Sequence, residues 1–299
     1  MPTGNMGLRG IQNDRPMVST IGTLVKFYLY CFLGCRATVK LVALLGLVFL
    51  TLRPVVEVLF IKLIADSFLA VASGEKGMEG GYGFYLVISL ALLLVYALSY
   101  MSKVGRISYV NHVVEMLKHL GVTVHLSHKA WMRAALIEAT QIMTWVVQIL
   151  AILVISLYID FWVSLPLLLM VVFSLLADYY LFSKQLYQQR KLKFNKRDHA
   201  DKVTSMKVHS RVRSAELVNA VINIMTLVVF LLFIVMVVER IISPETGVIF
   251  MFIARIFNIT LTGVSGASMR LARAAVYAEK GIEKVVHHEE LAGSAERHY

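Results

Sequence analysis

Few charged side chains interrupt the apolar stretches of this chain, and four of those that do are spaced as pairs. Arg53 and Glu57 lie four residues apart, as do Lys62 and Asp66. Each pair therefore shares one face of a helix and can form an i,i+4 ion pair that lowers the cost of burying either charge. Asp178 and Arg255 stand toward the interiors or ends of later apolar runs, where a partner must come from another helix. Groups of this kind line a polar pathway or relay protons across a bilayer. They also serve only to set packing and depth, and Arg53 and Lys62 are long enough to snorkel to an interface. These six residues form the candidate intramembrane polar pathway.

A second concentration of charge is cationic. Between Lys184 and Arg213 fall Arg190, Lys191, Lys193, Lys196, Arg197, Lys202, Lys207 and Arg211, opposed only by Asp198 and Asp201. Such a segment suits anionic lipid headgroups, at about 1 kcal/mol per Lys or Arg close to an acidic leaflet, or docking of an acidic cytoplasmic partner. It sits in no recognisable nucleic-acid module, so no nucleic acid is expected as a partner.

Catalytic constellations do not emerge. Glu289 and Glu290 lie on a charged tail, and no strand-and-turn context presents a Ser, His and Asp arrangement. His112, His119, His125 and His128 mix helical faces, and Cys31 and Cys35 lack further ligands for a tetrahedral metal site. The two thiols lie near the expected cytoplasmic face, where a disulfide is not expected. The chain is not expected to be an enzyme, and no cofactor is implied.

The elements that carry these residues are membrane helices. Hydrophobic residues make up 58% of the 299, charged residues 16%, and mean hydropathy is +0.70. Runs of about 18 to 25 apolar residues match a hydrocarbon core of roughly 30 Å. Six are read, near Val39–Ala72, Phe84–Val104, Ile142–Leu157, Phe161–Leu181, Leu217–Val238 and Val248–Val264. The third and fourth are nearly continuous, broken by Tyr158-Ile159-Asp160 and then Pro166. The first continues for about 34 residues, roughly 50 Å of helix, so it must project beyond the membrane or kink at Pro54. After the sixth run a short charged tail follows, and no soluble catalytic domain is expected.

Orientation follows from the basic residues. The segment between spans four and five and the one between spans two and three, with Lys103, Arg106, Lys118, Lys129 and Arg133, should stay in the cytoplasm. Both termini are then cytoplasmic, and Glu75, Lys76 and Glu79 lie outside. The formal charge of +11 is mostly this topological bias. The first span is expected as a retained signal-anchor with no cleaved leader. An interfacial helix precedes it: Leu24, Phe27, Tyr28, Tyr30 and Phe32 alternate with Lys26 and Arg36. The organisation expected is an all-α, polytopic protein of six transmembrane helices. Residues 1–19 form a flexible N-terminus, 20–285 the membrane domain with an elbow helix at 20–37, and 286–299 a loose cytoplasmic tail.

Several stretches, in order, resemble the type I ABC exporter transmembrane domain. The opening is similar: an elbow helix, Leu52-Arg53-Pro54, and Ile64-Ala65-Asp66 about twelve residues later. Asn111 to Lys118 and on to His125-Leu126-Ser127 resembles the descent toward a first coupling helix. Ile242 to Phe250 resembles the external turn into the last span, with Gly247 before it, and Arg270 to Glu283 its Ala- and Arg-rich cytoplasmic exit. The resemblance implies an exporter-like fold completed as a homodimer or a heteromer, since such folds enclose a pathway with about twelve spans. Two departures stand out. No Gly-x-x-x-x-Gly-Lys-Ser/Thr phosphate loop is present. Ser183–Ser214, where exporters carry a long hairpin with a second coupling helix, has only about 32 residues, a reach of roughly 20 to 25 Å.

Three functional classes follow. One is a transport subunit driven by a separate ATPase or an ion gradient. Another is a motorless scaffold or accessory subunit that docks a partner through the cationic segment. The last is a pore-forming or signalling effector. The expected site is a bacterial inner membrane, with lipids as partners. In the last span Gly263, Ser265, Gly266, Ala267, Ser268, Ala272 and Ala275 permit close helix approach, as a dimer seam, a hinge or intrachain packing.

Overall fold

The computed structural model describes residues 17–72, 81–119, 126–194 and 200–295. They form helices α1 (Met17–Leu33), α2 (Ala37–Ala72), α3 (Gly81–His119), α4 (Leu126–Ile159), α5 (Phe161–Phe194), α6 (Ala200–Val238) and α7 (Pro244–Ala295), with no strand among the described residues. Helices α2 to α7 each contain a segment long and apolar enough to cross a membrane. The chain is therefore an all-helical, multi-pass membrane protein. Leu86, Leu90, Leu93 and Leu94 on α3 and Leu227, Val228 and Leu231 on α6 are exposed, as a lipid-facing surface requires.

Several helices outrun the expected spans because polar residues at their ends still continue the turn. The cationic segment read as a loop is mostly helix: α5 runs on to Phe194 and α6 begins at Ala200. Residues 286–295, expected as a loose tail, extend α7. The elbow is α1, which ends at Leu33 and turns through Gly34, Cys35 and Arg36 into α2.

Local chemistry explains the other breaks. Asp160 separates α4 from α5 as an N-cap, its Oδ1 accepting from the amides of Trp162 (2.9 Å) and Val163 (3.1 Å). Tyr158, Phe161 and Trp162 around it are exposed, the composition of an interfacial aromatic belt. Pro166 lies inside α5 and does not end it. At the other turn Arg240 takes φ 56°, and Ile241 N donates to Met236 O while Arg240 N donates to Val237 O. That pair of bonds is a Schellman stop for α6. Ser243 then caps α7, its Oγ accepting from Thr246 N at 3.1 Å, with Pro244 at the first helical position.

The main core gathers α4, α5, α6 and α7 around Ile152, Leu167, Met170, Phe233, Phe250 and Phe257. A smaller cluster joins α1 to α3, α4 and the C-terminal part of α7 through Phe27, Cys31, Val110, Val113, Leu136 and Ile282. Close approach of α4 to α7 depends on Gly263, where an added Cβ would lie 2.7 Å from the Trp145 ring. Ser265, Ala267, Ser268, Ala272 and Ala275 are buried within the same chain. The small residues of the last span thus serve intrachain packing.

Candidate functional site: a cationic cavity between α2, α3, α4 and α7

Helix α2 runs unbroken through Pro54. A proline has no N–H to donate to the carbonyl four residues back, here that of Leu50. Gln148 of α4 supplies the missing donor, its Nε2 giving to Leu50 O at 2.5 Å. In a hydrocarbon environment that replacement bond satisfies an acceptor water cannot reach. It also sets α4 against α2 at the depth of Arg53 and Glu57.

Those two residues form the expected pair, Arg53 Nε to Glu57 Oε1 at 3.0 Å. The pair recruits Tyr96 from α3, whose Oη donates to Glu57 Oε1 at 2.5 Å. The Arg53 guanidinium stacks over the Tyr96 ring at 4.4 Å. Tyr96 thus sets the antiparallel register of α2 on α3, which Gly46 continues further along by admitting Ser102.

A cavity of about 250 Å³ opens beside this triad. Each helix around it presents one face at i, i+3 or i+4, and i+7 spacing. From α2 come Leu50, Arg53, Pro54 and Glu57; from α3, Ser99, Lys103 and Arg106; from α4, Gln141, Thr144, Trp145 and Gln148. Ile256, Ile259 and Thr260 of α7 close it. Arg53, Lys103 and Arg106 outnumber Glu57 by two positive charges, all within apolar spans. The arrangement suits a polar or anionic group inside the membrane. Among the described residues no group of His, Cys, Asp or Glu could hold a metal.

Of the six expected pathway residues, the structure brings Arg53 and Glu57 to the cavity. Asp178 is buried elsewhere, on the face of α5 that also carries Ser174, Gln185 and Gln189, with Ser265 and Ser268 of α7 beside it. Arg255 is exposed on the single chain and does not line the cavity. The side chains of Lys62 and Asp66 lie outside the described residues.

The cationic segment also divides. Arg190 binds Glu279 of α7 at 2.5 Å. Lys193 donates to Val276 O at 2.6 Å and lies 4.0 Å from Glu279 Oε2. These two residues clasp α5 to α7. Lys191 and Arg213 are exposed. The side chains of Lys196, Arg197, Lys202, Lys207 and Arg211 lie outside the described residues.

Lys103 and Arg106 were expected in a cytoplasmic loop and stand instead inside α3 and its apolar span. Their spacing with Ser99 and Tyr96 on one face was the available signal, as was the spacing of Gln141, Thr144 and Gln148 on one face of α4. Cys31 and Cys35 are buried and form no disulfide, Cys35 Sγ donating to Cys31 O at 3.0 Å. Burial raises the Cys35 thiol above its ordinary value, and the nearby Lys40 opposes this only partly.

No protein-family model matches this sequence, and none of the curated proteins compared with it matches either.

Proposed function

We propose that the chain is a membrane transport subunit whose cationic cavity forms part of the solute path. The observation that carries this is the cavity itself: four spans enclose a space holding an excess of two positive charges. Uncompensated charge within a hydrocarbon span is costly and is retained where a polar solute or ion must pass. The resemblance to the exporter transmembrane domain supports a fold completed by a second copy or a related chain. On this reading energy comes from a separate ATPase or an ion gradient. The scaffold reading draws less support, because Arg190 and Lys193 are engaged by α7.

The test is accessibility. In a Cys31→Ala, Cys35→Ala background, Gln141→Cys is exposed to a membrane-impermeant thiol reagent in right-side-out and in inverted vesicles. A transport path predicts modification from both sides, and protection from both would overturn the proposal. Purification from native membranes, with identification of co-purifying ATPases, separates an ATPase-driven path from a gradient-driven one.

A further inference from the structure

A second cavity, of about 260 Å³, adjoins the cationic one and shares Leu50, Arg106 and Thr144 with it. Its character is opposite. The elbow helix supplies Tyr28, Leu29 and Phe32, α2 supplies Val42, Leu44 and Leu47, and Met143 comes from α4. Leu29, Val42, Leu44 and Met143 are exposed, so this apolar cavity is bordered by the lipid-facing surface. Arg106 stands where the two cavities meet.

Hydrogen-bond accounting around the two cavities points one way. Arg106 Nε, Tyr109 Oη and Trp145 Nε1 are buried and have no hydrogen-bond partner. Tyr109 is only 4% exposed and lines the apolar cavity, while Trp145 lines the cationic one. All three groups carry a proton to donate, and buried donors are ordinarily satisfied. Arg106 makes no ion pair among the described residues. The nearby carboxylate on α4, Glu138, accepts from Arg270 through Oε1 at 2.8 Å; its buried Oε2 has no partner and does not come within hydrogen-bond distance of Arg106. The hydroxyls of Ser102, Thr140 and Thr144 already donate to carbonyls of their own helices. No described residue accepts from Arg106 Nε, and beside Arg106 and Lys103 an incoming acceptor that matches the charge is an oxyanion.

We infer that the two cavities form one binding site for an amphipathic anion. Its oxyanion headgroup lies against Arg106 and Tyr109, one turn apart on α3, and its hydrocarbon chain lies between the elbow helix, α2 and α4. The combined space, roughly 500 Å³, falls within the range of small-molecule sites. Burial of the chain supplies affinity and the donors supply selection for negative charge. The inference names the ligand class for the transport reading and rests on that reading only for the passage of the bound anion across the membrane. Two sources share this chemistry: a free single-chain acid or phosphate, and an anionic lipid of the bilayer.

The test uses the full chain in a non-ionic detergent, with dodecyl phosphate as the probe and tryptophan fluorescence as the readout. Saturable binding is expected, with inorganic phosphate and dodecyltrimethylammonium each weaker by about a hundredfold. Arg106→Gln should weaken dodecyl phosphate by about tenfold or more, and Arg106→Lys, which keeps the charge, by about threefold. Tyr109→Phe removes a single donor and should cost about fivefold. Thermal unfolding of each variant shows that the fold is kept. Displacement of dodecyl phosphate by phosphatidylglycerol assigns a bilayer lipid as the source, and its failure to displace assigns a free single-chain anion. Equal binding of the cationic analogue, or full binding by a folded Arg106→Gln protein, would overturn the site. Binding with Gln141→Cys protected from both sides would overturn transport and leave the site standing. Labelling from both sides without binding would do the reverse.

Discussion

Arg106 and Arg190 are the same side chain in two different situations. Arg190 reaches across from α5 to Glu279 at 2.5 Å, and Lys193 beside it finds both that carboxylate and a carbonyl of α7. Arg106 lies between two cavities with a buried Nε that meets no acceptor. At the α5–α7 clasp the desolvation of charge is offset inside the chain, so the charges there hold helices together. At the α2–α3–α4 cavity it is not, and the unsatisfied donors favour an incoming anion. A charge completed by its own fold is structural; one left incomplete is available for binding.

Gly263 keeps the Trp145 indole where it is. Gly263→Val places atoms 2.7 to 3.1 Å from that ring, and the overpacking should cost about 3 kcal/mol. A reduced unfolding temperature in detergent, with altered tryptophan emission, is the expected result. A neutral outcome would mean that α4 and α7 separate easily and that the cavity wall is soft.

Glu279→Ala removes the carboxylate shared by Arg190 and Lys193, whose side-chain exposures are 17% and 24%. The expected loss is about 2 kcal/mol. Stability unchanged within error would remove the contrast with Arg106. Gln148→Leu takes the replacement donor from Leu50 O and should cost about 1 kcal/mol. Gln148→Glu, whose ionised carboxylate cannot donate, should cost at least as much.

Arg106→Gln acts on the other charge. It removes a charge without an ion pair, so unfolding stability should change by no more than about 0.5 kcal/mol or should rise. A loss as large as that of Glu279→Ala would show that Arg106 is a structural charge after all. The smallest effect concerns pH. Burial holds the Cys35 thiol above its ordinary value of 9.0, so its contribution is complete below that value and falls as pH rises through the folded-state value. Wild-type stability should decline slightly from about pH 9 upward. Cys35→Ala should lack that component of the decline, and identical profiles would rule it out.

Much of the scaffold was legible in the sequence. Six apolar runs, the elbow before the first, the Asp160 break and the Ser243-Pro244 start of the last span are local patterns. Arg53 with Glu57 was legible for the same reason, since four residues bring two side chains to one face of any helix. The extents of the helices were less so, because hydropathy falls at an interface while the hydrogen-bond ladder continues. That is why Lys103 and Arg106 read as loop residues and Arg190 and Lys193 as free cations.

Composition and periodicity by themselves therefore determined that this is an all-helical, multi-pass membrane protein, and which residues are costly to bury in it. Only the tertiary structure decided which of those residues find partners. Tyr96 on Glu57, Gln148 on Leu50, Glu279 on Arg190 and the unpartnered Nε of Arg106 all depend on how far each helix is rotated and slid against its neighbours. The physical reason is that an i,i+4 contact is a property of one helix. A contact across helices is set by the close packing of many apolar side chains, none of which names its partner in the sequence.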